Sequence, residues 1–306
     1  MKAVVFEDFG GPEVLRVAEV DPPAPGPKQV RIRVRAAGVN PIDYKIRRGM
    51  MRPGLPPKLP AIPGSEAAGV VEEVGSEVTG VKAGDEVFGW TRGGAYCEQA
   101  NLTTFAIKPG GVSFIDAVAL PVAGETAERV LGLLGVKAGE TLLVHGAAGA
   151  VGTMAVQLGV ARGARVIGTA GPANQEYVGS LGAVPTTYGD GLVERVRALA
   201  PGGVDAVFDV AGRGALPDSI ELRGGTTERI VTIADYPGSE QLGVKFTGGG
   251  KESVASTELL DDLVGRLERG ELNVEINAVF PLAEAAEAQR RSEAGHGRGK
   301  IVLTVG

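Results

Sequence analysis

The stretch with the clearest chemistry is Thr141–Gly152, TLLVHGAAGAVG. A short, mostly apolar run, Thr141–His145, breaks into closely spaced small residues. A helical pattern follows, with Val151, Met154, Ala155, Leu158 and Val160 as its apolar positions. Strand, tight turn and helix N-terminus in that order form a cradle for a dinucleotide pyrophosphate. Small residues let the backbone come close, and the N–H groups of the first helical turn bind the anion. Gly149 and Gly152 fall on the second and third glycines of G-x-G-x-x-G, Ala147 takes the first, and Ala150 and Val151 open the helix. Two plainer readings stand beside this one. Residues 141–161 carry no charge, as a membrane span would, but His145, Gln157 and the glycines make them too polar for that. A glycine-rich helix packed in an ordinary core is the other.

Cofactor choice turns on the next strand, Arg165–Thr169. An NAD site places Asp or Glu at its end, about 20 residues past the glycines, to bind the ribose hydroxyls. Here Thr169-Ala170-Gly171 follows with no acid, so a 2′-phosphate meets no repulsion. NADPH is therefore the expected cofactor, although no Lys or Arg lies between Arg165 and Arg195. Metal chemistry is short of donors. The chain has one cysteine, Cys97, and two histidines, His145 and His296. Both histidines read as structural and Cys97 as a small buried hydrophobe.

The elements that position these residues follow from pattern. At 306 residues the chain is long enough for two domains, and 43% hydrophobic with 22% charged residues is the composition of a globular protein. A net charge of −6 without a basic stripe argues against nucleic acid and against an anionic membrane surface. Glu7 and Asp8 interrupt the first apolar run, so no signal peptide is expected, and the lone cysteine suits a reducing cytoplasm.

Residues 1–110 read as short strands. In Gln29–Ala37, Val30, Ile32 and Val34 alternate with Arg31, Arg33 and Arg35, which predicts a half-buried antiparallel strand. Met50–Pro63 holds five prolines and reads as a loop. From Phe114 onward, strands alternate with helices, which predicts βαβ units and a parallel sheet covered on both faces. Ser256–Arg269 reads as the closing helix of that unit. Asn273–Phe280 and Lys300–Val305 read as strands returning to the first domain. The expected division is 1–118 with 274–306, and 119–273.

Seven segments occur in order along the chain: GGPEVLRV (10–17), AAGVNPIDYKIRRG (36–49), PGSEAAGVVEEVG (63–75), GDEVFG (84–89), LPVAGETA (120–127), VHGAAGAVG (144–152) and GKIVL (299–303). Together they resemble the zinc-independent quinone oxidoreductases (zeta-crystallin-like) of the medium-chain dehydrogenase/reductase superfamily. The resemblance implies an α/β protein with a GroES-like, mainly β catalytic domain and a Rossmann domain with a doubly wound parallel sheet. It implies NADPH-dependent hydride transfer to a quinone or an α,β-unsaturated carbonyl. An enoyl reductase acting on a biosynthetic, polyketide-like intermediate, and a non-catalytic NADPH-binding protein, are the alternatives.

Zinc-dependent relatives place a cysteine where this chain has Asn40 and a histidine where it has Ser65, and the four-cysteine structural lobe is absent. No metal is expected. The resemblance points to Asn40, Asp43 and Tyr44 for catalysis. Asn40 is the donor to a developing oxyanion. Tyr44 is a hydrogen-bond or proton donor, since a phenol with a pKa of about 10 suits donation more than base work. Asp43 orients the loop or the cofactor amide, or else caps the turn before Tyr44.

Thr126 is expected beside the nicotinamide. Thr169, Asn174, the Gly171 N–H and Tyr188 are expected at the 2′-phosphate, where Gln175 replaces a frequent lysine; the other reading of Tyr188 is a residue that simply ends a strand. Arg298 or Lys300 is expected to reach the phosphate from the C-terminal segment, and Ala211 and Ile233 complete the expected cofactor contacts. Glu125 and Glu128 depart from the family pattern. A homodimer is expected through edge strands near Arg229–Ala234 and Val244–Phe246.

Overall fold

The computed structural model describes residues 1–51, 57–295 and 297–306. Residues 52–56 of the expected 50–63 loop, and His296, lie outside the described residues. The chain forms two compact units, Met1–Val122 with Ala255–Gly306, and Ala123–Val254.

The first unit contains strands β1 (Lys2–Val5), β2 (Arg16–Glu19), β3 (Val30–Val39), β4 (Glu66–Val74), β5 (Glu86–Arg92) and β6 (Gln99–Ile107). The second contains β7 (Thr141–His145), β8 (Arg165–Thr169), β9 (Val184–Thr186), β10 (Ala206–Asp209), β11 (Ile230–Thr232) and β12 (Lys245–Phe246). The chain then returns to the first unit with β13 (Ile276–Pro281) and β14 (Lys300–Thr304).

In the first unit, β13-β14-β3-β4-β5-β6 form one sheet, and β3 also pairs with β6, so the sheet curls on itself. Along β3, Val30, Ile32 and Val34 are buried while Arg33 and Arg35 are exposed, the alternation of a strand with one face on a core. From Ala36 to Val39 every residue is buried, and there β14 pairs antiparallel with Ala36–Val39. That pairing brings Lys300, at the start of β14, close to Asn40, just past the end of β3.

The second unit is a six-stranded, wholly parallel sheet in the order β12-β11-β10-β7-β8-β9. Read from β9, this is the 3-2-1-4-5-6 order of a dinucleotide-binding fold, with the switch point between β7 and β10. Leu143, Ile167, Val207 and Ile230, one from each of the four central strands, pack in one buried cluster.

Two expectations about elements are corrected. The 257–268 helix does not close the parallel unit; it belongs to the first unit and packs on β6, where the Thr257 hydroxyl donates to the Phe105 carbonyl at 3.0 Å. The 229–234 strand is not an edge, because β11 lies between β10 and β12, and only the two-residue β12 closes that side of the sheet.

Candidate functional site

In the second unit, β7 ends at His145 and the chain turns at Gly146, whose φ of 78° lies in the left-handed region that favours glycine. The sequence match gave the first motif position to Ala147, but the tight turn is made one residue earlier. A Cβ on Gly152 would stand 2.1 Å from the Gly146 carbonyl oxygen, so the third glycine is what lets the helix pack against the turn. A Cβ on Gly149 would meet nothing nearer than 3.6 Å. The helix Ala150–Ala161 starts there with no side-chain cap. Gly149, Ala150 and Val151 are half-buried, so the unpaired N–H groups of the first turn face an accessible surface. Ala147 is fully buried, and Gly168 of β8 leaves room for its methyl group.

Side chains behind the turn hold it. The Thr169 hydroxyl accepts from the Gly146 N–H and lies 3.3 Å from His145 Nδ1, while His145 Nε2 lies 3.1 Å from the Ser219 hydroxyl. Burial holds the His145 imidazole below its ordinary pKa, so it stays neutral with both ring nitrogens engaged. After β8, Gln175 Nε2 donates to the carbonyls of Ala170, Gly171 and Thr186 and pins the loop that carries Gly171 and Asn174. The hydroxyl end of Tyr188 comes near Gly171, and the residue is 57% exposed, two residues beyond the end of β9.

Two further loops depend on Asp209, which the sequence reading missed. Its Oδ1 accepts from the N–H groups of Ala211 and Gly212, each at 3.0 Å, and its Oδ2 accepts from the Thr232 hydroxyl at 2.7 Å. The Thr232 hydroxyl in turn accepts from Ala234 and Asp235 N–H, so one buried carboxylate shapes the loops of Ala211 and Ile233. A lone acid ending the apolar run Val207-Phe208 was the available signal.

The helix Pro121–Leu134 carries Thr126, which is buried. Beside it Glu125 Oε1 accepts from Arg129 Nε and the Ser253 hydroxyl at 3.0 Å and from the Val254 N–H at 3.1 Å. Glu128 pairs with Arg162. The two acids that depart from the family pattern thus each have their own arginine partner.

In the first unit, Asn40 follows the last residue of β3 and precedes the helix Pro41–Arg47. The Asp43 carboxylate reaches back to accept from the Asn40 N–H at 2.8 Å, which makes Asp43 part of the turn's cap. The same oxygen accepts from the Tyr96 hydroxyl at 2.9 Å. Asp43 is 3% exposed, and burial pushes its carboxyl up to about 6, against the opposing pull of the Asn40 N–H, Tyr96 and Lys300. Burial likewise raises the Tyr96 phenol well above its ordinary value. Tyr44, on the next position of the helix, is half-buried.

The Asn40 carboxamide is enclosed by charge. Its Nδ2 donates to Glu66 Oε1 at 2.7 Å, and Lys300 Nζ donates to its Oδ1 at 2.6 Å. Lys300 and Glu66 form an ion pair with side-chain exposures of 2% and 0%. Lys300 is therefore not placed as a phosphate ligand: its ammonium is buried in the first unit against Glu66 and Asn40. Arg298 pairs with Glu275 at 2.5 Å. Glu66 and Tyr96 were missed by the sequence reading. The signal for Glu66 was a charged residue opening the apolar strand EAAGVV.

The described residues do not fit a zinc ion. Cys97 is buried, its thiol donates to the Gln99 carbonyl, and burial pushes it up to about 12, far from the thiolate a metal requires. Glu66 is paired with Lys300, and His145 is engaged on both nitrogens. Among the described residues no cluster of three or more potential ligands occurs. No helix among them is long and apolar enough to cross a membrane.

Residues 26–132 match the family described as Alcohol dehydrogenase GroES-like domain, and residues 181–303 that described as Zinc-binding dehydrogenase. The chain is 36% identical to a quinone oxidoreductase of Pseudomonas aeruginosa, over 99% of each chain. It is 33% identical to the 2-methylene-furan-3-one reductase of Solanum lycopersicum, over 99% of this chain and 79% of that one. Among solved structures, the Escherichia coli quinone oxidoreductase complexed with NADPH superposes with a TM-score of 0.85 at 28% identity, covering 99% of this chain and 100% of that one.

Proposed function

The chain belongs to the quinone oxidoreductase family of the medium-chain dehydrogenase/reductase superfamily, and from that premise we propose that it is an NADPH-dependent reductase of quinones or α,β-unsaturated carbonyls. The observation that carries the reading is the Asn40 carboxamide, held by buried charge at a position where zinc-dependent relatives have a metal ligand. NADPH, when bound, supplies the hydride. The glycine turn with the first-turn N–H groups of Ala150, Val151 and Gly152 would hold the pyrophosphate, and Ala211 and Ile233, on the loops braced by Asp209, would contact the cofactor. Gly171, Asn174 and Tyr188 receive the 2′-phosphate, with Thr169 bracing the turn beneath them. Thr126 would face the nicotinamide.

Asn40 and Tyr44 act on the acceptor. Asn40 has a second Nδ2–H beyond the one given to Glu66, and it donates to the oxygen on which charge develops. Tyr44 donates a hydrogen bond or the proton. Asp43 holds the turn that presents both. Donors of this kind suit a delocalised hydroquinone or enolate anion better than the localised alkoxide of a simple ketone, which a Lewis acid would have to stabilise. The name of the tomato relative, an enone reductase, supports the enone arm.

The absence of an acid after β8 supports preference for NADPH over NADH. We further propose a cytoplasmic homodimer that pairs through the β12 edge. Replacing Asn40 by Ala tests the reading: turnover of a quinone or enone should fall about 10²-fold with NADPH affinity nearly unchanged, and wild-type turnover would remove Asn40 from the mechanism. Sedimentation at micromolar concentration should give a dimer mass; a monomer would overturn the assembly.

A further inference from the structure

We propose that Lys300 and Glu66 are positioning residues for the Asn40 carboxamide, an inference that rests on the role given to Asn40 above. An asparagine amide has two near-isosteric orientations that exchange its oxygen and nitrogen. Here the surroundings allow one. An ammonium only donates and a carboxylate only accepts, and Lys300 Nζ lies 2.6 Å from Oδ1 while Glu66 Oε1 lies 2.7 Å from Nδ2. Turning the amide over would set the NH₂ group against the ammonium and the carbonyl oxygen against the carboxylate, losing both contacts and adding two repulsive ones.

With the orientation fixed, one Nδ2–H is bound to Glu66 and the other has a single direction. The ammonium at Oδ1 also draws charge from the amide and strengthens Nδ2–H as a donor, the polarisation expected along a hydrogen-bonded chain in a low-dielectric site.

Glu66 cannot drift from this position. Its Oε2 accepts from the Val122 N–H at 2.8 Å, and its carboxylate occupies space that Gly38 leaves empty, since a Cβ there would stand 2.3 Å from Oε1. Three segments distant in sequence, at the ends of β3, β4 and β14, thus converge on one amide. A buried ion pair is a weak source of stability, because desolvation offsets its attraction. Fixing an orientation is a use that does not depend on net stabilisation.

The test is a double-mutant cycle of Asn40→Ala and Lys300→Met, reading kcat with a quinone, KM for NADPH and the thermal midpoint. Lys300→Met should lower kcat by 10-fold or more, approaching the about 10²-fold loss of a missing oxyanion donor, with KM for NADPH within about two-fold. In the Asn40→Ala background it should lower kcat no further, because the group it positions is gone. A structural role alone would give the same fold-loss in both backgrounds, and that result, or wild-type kcat in Lys300→Met, overturns the proposal. Wild-type kcat in Asn40→Ala itself would sink the Asn40 reading and this inference with it, which distinguishes the two failures. Lys300→Met strands a buried carboxylate, so if it does not fold the neutral pair Glu66→Gln/Lys300→Met carries the same cycle. In that pair the introduced glutamine carbonyl still accepts from Nδ2, while its NH₂ group faces the Val122 N–H and that contact is lost together with the one at Oδ1.

Discussion

Replacing Asp43 by Asn separates a buried charge from the hydrogen bonds it makes. Both bonds fall on the same carboxylate oxygen, from the Asn40 N–H at 2.8 Å and the Tyr96 hydroxyl at 2.9 Å. The carbonyl oxygen of the substituted amide accepts both, so the cap survives the change. What disappears is the ionisation of a carboxyl that burial lifts from its ordinary 3.8 to about 6. At about 1.4 kcal/mol per tenfold change in proton affinity, that displacement corresponds to about 3 kcal/mol. The sign follows from its direction. A carboxyl whose pKa is higher folded than unfolded contributes stability that is fully present below 3.8 and lost as the pH rises through about 6.

Wild type should therefore lose about 3 kcal/mol relative to Asp43→Asn between about pH 3.5 and pH 7, and groups not coupled to Asp43 cancel from the difference. The assay is urea unfolding of the two proteins at both pH values. The new amide NH₂, where Oδ1 stood, shifts the variant by a roughly pH-independent amount of about 1–3 kcal/mol if it stays unbonded, so the change in the gap with pH is the quantity read. An equal gap at the acid and neutral ends would refute the argument that burial governs Asp43.

The cofactor side gives three more expectations. Gly152→Ala drives a methyl group into the Gly146 carbonyl and should abolish measurable NADPH binding by calorimetry while the protein remains folded; tight binding would show that the turn tolerates a shift. Asp209→Ala leaves the Ala211 and Gly212 N–H groups and the Thr232 hydroxyl without their acceptor and should cost about 1–3 kcal/mol of stability, together with a loss of NADPH affinity. Unchanged affinity would detach these loops from the cofactor. Tyr188→Phe should lower kcat/KM for NADPH and leave NADH unaffected, and an equal effect on both would leave Tyr188 as no more than a loop residue.

Much of the fold was legible because it rests on local pattern. The alternation in β3, the βαβ rhythm after Phe114 and the glycine turn each need only neighbours in sequence. The site in the first unit was half legible. Asn40, Asp43 and Tyr44 sit in one helical turn, and Asp43 is part of its cap, one of the two roles open to it. The charges that govern Asn40 arrive from residues 26 and 260 positions away, and no local pattern carries that pairing. Lys300 is expected at the cofactor phosphate, and the β3–β14 pairing instead buries it against Glu66.

The 257–268 helix shows the same limit. Its amphipathic pattern fixes which face is buried, in Leu260, Leu263 and Val264, but not which unit it covers. At the glycine turn the residue with positive φ is Gly146, one before the first motif position, because spacing alone cannot tell which small residue must adopt that conformation.

On this mechanism the chain moves hydride to an activated acceptor without a metal to stabilise a localised alkoxide. The most direct test is NADPH oxidation by the purified protein with a benzoquinone, an alkenal, an enoyl thioester and a saturated ketone of similar size. The expected result is turnover of the quinone or the conjugated carbonyls, with kcat/KM at least about 10²-fold above the saturated ketone, the scale of one well-placed oxyanion donor. A saturated ketone reduced as well as the quinone and the conjugated compounds would contradict the account.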